Sequence, residues 1–297
     1  MIKLAFGMIV FEGDYVLREC LEQVYPYATQ ILIAEGPVRY WQDRGRTTST
    51  DFTNEILNNF PDPENKIKII HGQFFEKDEQ CNAYIKYLNS DIDYLWNLDS
   101  DEVYKSKDIE KTLHFLTEEL PTSVGVRSRS FYGGFDHYLT GFELAQDNFL
   151  RIFRVTEGSK WLTHRPPTIQ YPPDKNIKYK HIDSETFFKK TGVEMFHYSY
   201  VFPNQVKNKI EYYKAKVSLN KCIDDYYNKI YLPWMTADEI ERYQLEKVFG
   251  GVHEFKPEFR GDCFTADFCG VHPASITQNL PRLKNRIKEE LNENSVV

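Results

Sequence analysis

No stretch of this chain approaches the ~18 consecutive apolar residues that a membrane span requires, so no transmembrane segment is expected. The N-terminus also lacks a signal-peptide pattern: Lys3 to Val10 reads as a strand with Gly7 at its middle, and acidic residues follow soon after. The five cysteines (Cys20, Cys81, Cys222, Cys263, Cys269) are scattered and include no CxxC pair. Free thiols in a reducing compartment follow from that usage. No Asn-x-Ser/Thr acceptor is present, and a cytoplasmic setting is the expectation. There is no long basic run, and the formal net charge is -7. Such a chain is a poor nucleic-acid binder. An anionic nucleotide remains within reach if a cation or a local basic loop supplies positive charge. Internal repeats and low-complexity segments are absent too.

What is present fits one large α/β domain, alone or with an appendage, since the chain has 297 residues, 41% hydrophobic and 27% charged. Aromatic residues are plentiful, with 20 Tyr and 21 Phe. They either fill a core or, in part, line a sugar site, where flat rings pack on pyranose faces.

The first 130 residues alternate strand and helix patterns. Lys3–Val10, Gln30–Ala34, Lys66–His71, Asp93–Leu98 and Ser123–Arg129 are strand-like, with helices between them. Asp14 and Asp51 stand where N-caps would, and Pro61 and Pro121 end helices. This order implies an α/β fold with a mostly parallel sheet flanked by helices, whose ligands sit outside the carboxyl ends of the strands. After residue 130 the pattern changes. Tyr138–Asp147 reads as loop, Asn148–Val155 as a strand of antiparallel type, and 163–192 as irregular. An amphipathic helix starts near Val206, and a polar helix lies near Leu280–Leu291. The chain divides at about 235, with 1–130 as a nucleotide-sugar half, 131–202 as an acceptor half, 203–235 as a helical part, and 236–297 as a small helical or mixed C-terminal extension.

The sharpest chemical feature is Asp99-Ser100-Asp101-Glu102, three carboxylates in four positions directly after the apolar strand ending at Leu98. Residues two apart in extended chain face the same way, about 6–7 Å apart. Asp99 and Asp101 can therefore face one cation. Mg²⁺ or Mn²⁺ would relieve their mutual repulsion, and carboxylate oxygens suit either ion. The bland alternative is a solvated turn before the next helix. Arg44 and Arg46 sit in a polar loop where guanidinium could pair with phosphate, or could simply be solvated.

Met8–Asp14, Ile31–Gly36, Ser49-Thr50-Asp51-Phe52-Thr53, Lys77–Ala83 and Asp99–Glu102 together resemble, in that order, the family-2-type glycosyltransferases with a GT-A fold. Asp147–Arg154 is similar to a stretch in bacterial lipopolysaccharide-type members, and His197–Tyr200 to a histidine segment of the family. Two departures stand out: Val38–Thr48 is an insertion, and Phe52 replaces a usual Gly. The resemblance implies a sugar transfer from a nucleotide-diphosphate donor, UDP-linked by preference, to a glycan or other hydroxyl acceptor. The reaction would be metal-dependent and inverting. It implies donor contacts from Val10, Glu12, Glu35, Lys77, Gln80, Asn82 and Asp99, to which Arg44 and Arg46 of the inserted loop add candidates for the diphosphate. It implies a metal held by Asp99, Asp101 and His197, the last being otherwise a satisfied, partly buried histidine. For the general base it points to Asp147, from its position before the Arg151–Arg154 strand, with Glu143 and Asp136 as rivals; the carboxylate that many relatives carry near His164-Arg165 is missing here. A nucleotidyltransferase and a non-catalytic sugar- or partner-binding protein are the alternatives. The nucleotidyltransferase is disfavoured because Phe6–Asp14 lacks a basic, Gly-rich triphosphate loop. A homo-oligomer stays open.

Overall fold

The computed structural model describes residues 2–141, 149–216 and 221–295. The chain forms two compact units. The first takes in residues 2–127, 149–195 and 273–275; the second takes in 128–141, 196–216, 221–272 and 276–295.

The first unit is built on β1 (Leu4–Val10), β2 (Gln30–Glu35), β3 (Ile67–His71) and β4 (Tyr94–Leu98), which pair in parallel in the order β4-β1-β2-β3. Every residue of β1, β2 and β4 is buried, the near-continuous burial that a parallel strand covered on both faces demands. Helix α1 (Leu17–Val24) turns Leu17, Cys20, Leu21 and Val24 inward at helical spacing. It has no side-chain cap: Asp14, placed by its sequence position as that cap, instead accepts the Phe52 backbone N–H at 3.2 Å. Short α2 (Arg39–Gln42) and α3 (Thr53–Asn59) follow β2, and α4 (Lys77–Ile85) follows β3. After β4 come the two-residue β5 (Glu102–Val103) and α5 (Ser106–Glu119). Leu120 ends α5 in the left-handed region at φ 46°, and Pro121 prevents any continuation.

The sheet is mixed beyond β4. Strand β6 (Ser123–Tyr132) does not pair with β4; β8 (Phe149–Arg154) lies between them, antiparallel to both. Strand β7 (His137–Leu139) occupies part of a segment whose sequence reads as loop. The stretch 163–192 is also more regular than its composition suggests. It contributes the end of β9 (Lys160–His164), β10 (Pro167–Gln170), β11 (His181–Ile182) and α6 (Ser184–Thr191), which Asp183 caps by accepting the Thr186 N–H. Short strands with few apolar residues escape periodicity, which needs a longer window.

The second unit holds most of β12 (Glu194–Tyr200), α7 (Pro203–Lys216), a π-helical turn over Tyr227–Tyr231, and α8 (Leu232–Thr236). It also holds α9 (Glu239–Phe249), α10 (Pro257–Arg260), β13 (Thr265–Asp267) and most of α11 (Ala274–Ser295). Its core is aromatic: Tyr132, Tyr200, Tyr226, Tyr231 and Trp234 are almost fully buried together. Their polar tips are satisfied, as buried hydroxyls must be. Tyr226 donates to the Val252 carbonyl at 2.6 Å and Tyr231 to that of Val201 at 3.1 Å. Tyr226, Tyr227 and Tyr231 are therefore core.

Two contacts bind the carboxyl ends of the parallel strands. Gly36 lies at φ 140°, and a Cβ there would fall 1.9 Å from the Gly72 carbonyl oxygen, so only glycine allows the chain leaving β2 to pass β3. From α4, the buried Gln80 amide nitrogen reaches the carbonyls of Ala34 (2.9 Å), Gly36 (3.1 Å) and Val10 (3.4 Å). Gln80→Leu is expected to lower the unfolding free energy by about 1–3 kcal/mol, the cost of stranding buried acceptors, measured by urea denaturation.

Candidate functional site

The site is assembled where β1, β2, β3 and β4 run out. Beyond β1, Glu12 adopts φ 47°. Its backbone N–H donates to Ser49 Oγ at 3.0 Å, and the Gly13 N–H donates to Thr53 Oγ1 at 2.9 Å. Ser49 in turn donates to Glu35 Oε1 at 2.7 Å, so one buried hydroxyl links the ends of β1 and β2. The Glu12 carboxylate forms an ion pair with Arg46 and accepts from Thr50 at 3.2 Å. The Arg46 guanidinium also lies 4.0 Å over the Trp41 ring. Arg44 stacks 3.7 Å over Tyr40 and donates to its carbonyl. The 38–48 insertion thus places Arg46 against the loop after β1.

Glu35 ends β2 with 4% exposure, facing a cleft of about 480 Å³ lined also by Thr47, Thr48, Asn58, His71 and Gln73. Its second oxygen, Oε2, is 2.9 Å from His71 Nδ1. His71, the last residue of β3, has no role in the sequence reading; its one signal was its place at a strand end.

The carboxylate run follows β4. A Cβ at Gly13 would lie 2.5 Å from Ser100 Oγ, so the loops after β1 and β4 are in close contact, as the sequence pattern requires of one site. Glu102 is fully buried, and both of its oxygens meet the Arg151 guanidinium. Arg151 Nη2 also donates to Asp99 Oδ2 at 3.0 Å. Arg151 is itself 6% exposed and comes from β8. Burial opposes its charge, but the Glu102 and Asp99 carboxylates outweigh that and raise its pKa well above the ordinary arginine range. Arg151, like His71, has no role in the sequence reading; tertiary pairing of β8 with β4 brings it here.

The remaining candidates divide. Asn82 is occupied by α4–β9 packing: its amide donates to the Trp161 carbonyl at 2.8 Å and accepts the Trp161 N–H at 3.0 Å. The Val10 carbonyl accepts the Gly36 N–H at 2.9 Å. Lys77 opens α4. Burial first, and then the Lys77 charge, lower His164 to about 3, so its imidazole is neutral. His197 lies on β12 with Ser130 Oγ 3.5 Å from its Nδ1. Asp136 is exposed and pairs with Lys284 at 2.7 Å. Asp147 and Glu143 lie outside the described residues. Among the described residues, no three His, Cys, Asp or Glu side chains form a group arranged to hold a metal ion.

Residues 47–181 match the family model described as glycosyl transferase family 2. No curated protein matches the chain. Among solved structures, S. aureus TarS 1-349 in complex with UDP is 13% identical, with 45% of this chain and 38% of that one covered at a TM-score of 0.34. The same protein in complex with UDP-GlcNAc is 13% identical, covering 45% and 36% at 0.34. S. aureus TarS 1-349 is 10% identical, covering 96% and 83% at 0.39. The chain spans less than two fifths of the two ligand-bound structures. Likenesses at such TM-scores assign no role to any residue here.

Two measurements probe this site. Arg151→Met strands the buried Glu102 carboxylate and should destabilise the protein by about 3–5 kcal/mol in chemical denaturation, with much of the loss recovered in Arg151→Met/Glu102→Gln. His164 binds its proton in the unfolded chain near the ordinary value of about 6.5 but in the folded protein only near 3. The unfolded state then carries the extra proton between those values, and stability falls as pH drops through that window. His164→Gln should reduce the slope of unfolding free energy against pH there.

Proposed function

We propose that this chain, whose residues 47–181 match the glycosyl transferase family 2 model, moves a sugar from a nucleotide-diphosphate donor, UDP-linked, to a glycan or other hydroxyl acceptor. The observation that carries this reading beyond the family match is the contact between Ser100 and Gly13. It brings the Asp99–Asp101 turn against the loop after β1, in line with the Glu35 cleft at the ends of β2 and β3. Ligands of open α/β sheets lie along such a line of strand ends.

The reaction is displacement at the anomeric carbon, with the nucleoside diphosphate leaving. Asp101 and Asp99 would hold Mn²⁺ or Mg²⁺, and two carboxylates are the hard oxygen donors such an ion takes. When bound, the cation supplies Lewis-acid stabilisation of the departing diphosphate. Glu102 is not a ligand in this scheme, because Arg151 engages both of its oxygens. Arg151 orients Asp99 through Oδ2 and offsets part of the clustered negative charge. Arg46, already beside Glu12, is the guanidinium closest in role to the diphosphate. In an inverting transfer Asp147, with Glu143 as its rival, takes the acceptor proton. We place the reaction in the cytoplasm; none of the five cysteines forms a disulfide, and no described helix is long and apolar enough to cross a membrane.

Asp101→Asn should lower Mn²⁺-dependent sugar transfer at least about a hundredfold, as expected from several kcal/mol of lost charge stabilisation, with an unchanged circular dichroism spectrum. Transfer at the original rate by a folded variant would remove the metal role.

A further inference from the structure

Helix α9 carries apolar side chains on two opposite sides, and the chain covers one of them. At 3.6 residues per turn, Arg242, Leu245, Glu246 and Phe249 fall on one side. Leu245 and Phe249 pack against the aromatic core of the second unit. Glu246 accepts the Trp234 indole N–H at 2.8 Å, and Arg242 donates to the Trp234 carbonyl at 3.0 Å. The other side presents Ile240, Tyr243, Gln244, Lys247 and Val248. Ile240 is 69% exposed, Tyr243 60% and Val248 78%. No other described helix has more than one exposed large apolar side chain. Single exposed apolar residues are ordinary on a protein surface. Three along little more than two turns of one helix make a contiguous patch, and such a patch marks contact with another molecule.

The charges along this side identify what fits it. The first turn is acidic, with Glu239 and Glu241, and the last turn carries Lys247. The helix is thus complementary to itself run backwards, and its midpoint is Gln244. Half a rotation about an axis through Gln244 sets Ile240 of one copy opposite Val248 of the other, and Glu241 opposite Lys247. Each pair occurs twice, as in any isologous two-fold contact. At the axis Gln244 meets its own counterpart, and a side-chain amide has both the donor and the acceptor to bond reciprocally with its copy. The antiparallel arrangement also opposes the two helix dipoles. A parallel pair would place like charges together, and an anionic membrane or nucleic acid would meet Glu239 and Glu241 with like charge.

We propose that α9 is a dimer surface whose occupant is the antiparallel α9 of a second copy of this chain. The inference does not depend on the donor-binding reading. A helix of 11 residues is about 16 Å long, so the contact falls at the small end of protein interfaces and the dimer is a reversible one.

The test begins with sedimentation velocity of the full chain from about 5 to 500 μM, where the wild type should show a monomer–dimer equilibrium. Lys247→Glu sets like charges opposite Glu241 at two symmetric places and should weaken dimerisation about fivefold. The exchanged variant Glu241→Lys/Lys247→Glu should recover most of that loss. Its helix start is kept, because Asp238 accepts the backbone N–H of residue 241 at 2.9 Å, and circular dichroism verifies folding. Cross-linking reads the register, in a Cys269→Ser background because Cys269 is exposed and the other four cysteines are buried. Under mild oxidation Gln244→Cys should join to its copy. Glu239→Cys should not, since its two copies lie about 15 Å apart along the helices and a disulfide needs Cα atoms within about 7 Å. A wild type that stays monomeric over the whole range overturns the proposal. So does a dimer that Lys247→Glu leaves undiminished, or a Glu239→Cys variant that links as fast as Gln244→Cys.

Discussion

A guanidinium buried between two carboxylates is the constraint on which this site depends. Glu102 has no contact with solvent, and its charge is tolerable only because Arg151 meets both oxygens. The same guanidinium extends to Asp99, so the turn after β4 is held from beneath by a residue of β8. Strand β8 lies antiparallel beside β4 with Trp96 opposite Ile152, and that register sets Arg151 under the turn. The mixed character of the sheet is thus what supplies the countercharge.

The other three strand ends are joined by hydrogen bonds, two of them to the Glu35 carboxylate. Ser49 connects Glu12 to Glu35, Gln80 gathers the carbonyls of Val10, Ala34 and Gly36, and Glu35 reaches across to His71. Each buried polar group in this chain of contacts has a partner, which keeps the strand ends in one arrangement. Rigid strand ends can present fixed donors and acceptors to a nucleotide without an ordering cost at binding. Arg46 differs: it belongs to an inserted loop and is held by an ion pair and by the face of Trp41, contacts that a phosphate could exchange for its own.

Much of the fold was legible from local chemistry. Uninterrupted apolar runs such as Leu4–Val10 and Ile31–Ala34 announce buried parallel strands, and Pro121 announces the end of α5. The carboxylates after Leu98 were legible for the same reason: charge directly after a buried strand needs an explanation. Less legible were the short strands between 160 and 182 and the cap of α1. Asp14 has the right residue type for a cap, but a long-range bond to the Phe52 N–H claims it.

The sequence by itself determined which strands are buried, where they end, and that acidic residues cluster at the end of β4, since each follows from hydrophobic runs and neighbours along the chain. Only the tertiary structure decided which of those acids are engaged. Arg151 is 49 residues from Glu102, and His71 is 36 from Glu35. A carboxylate's role depends on what sits within about 3 Å of it in space, and pattern along a chain carries no record of that distance.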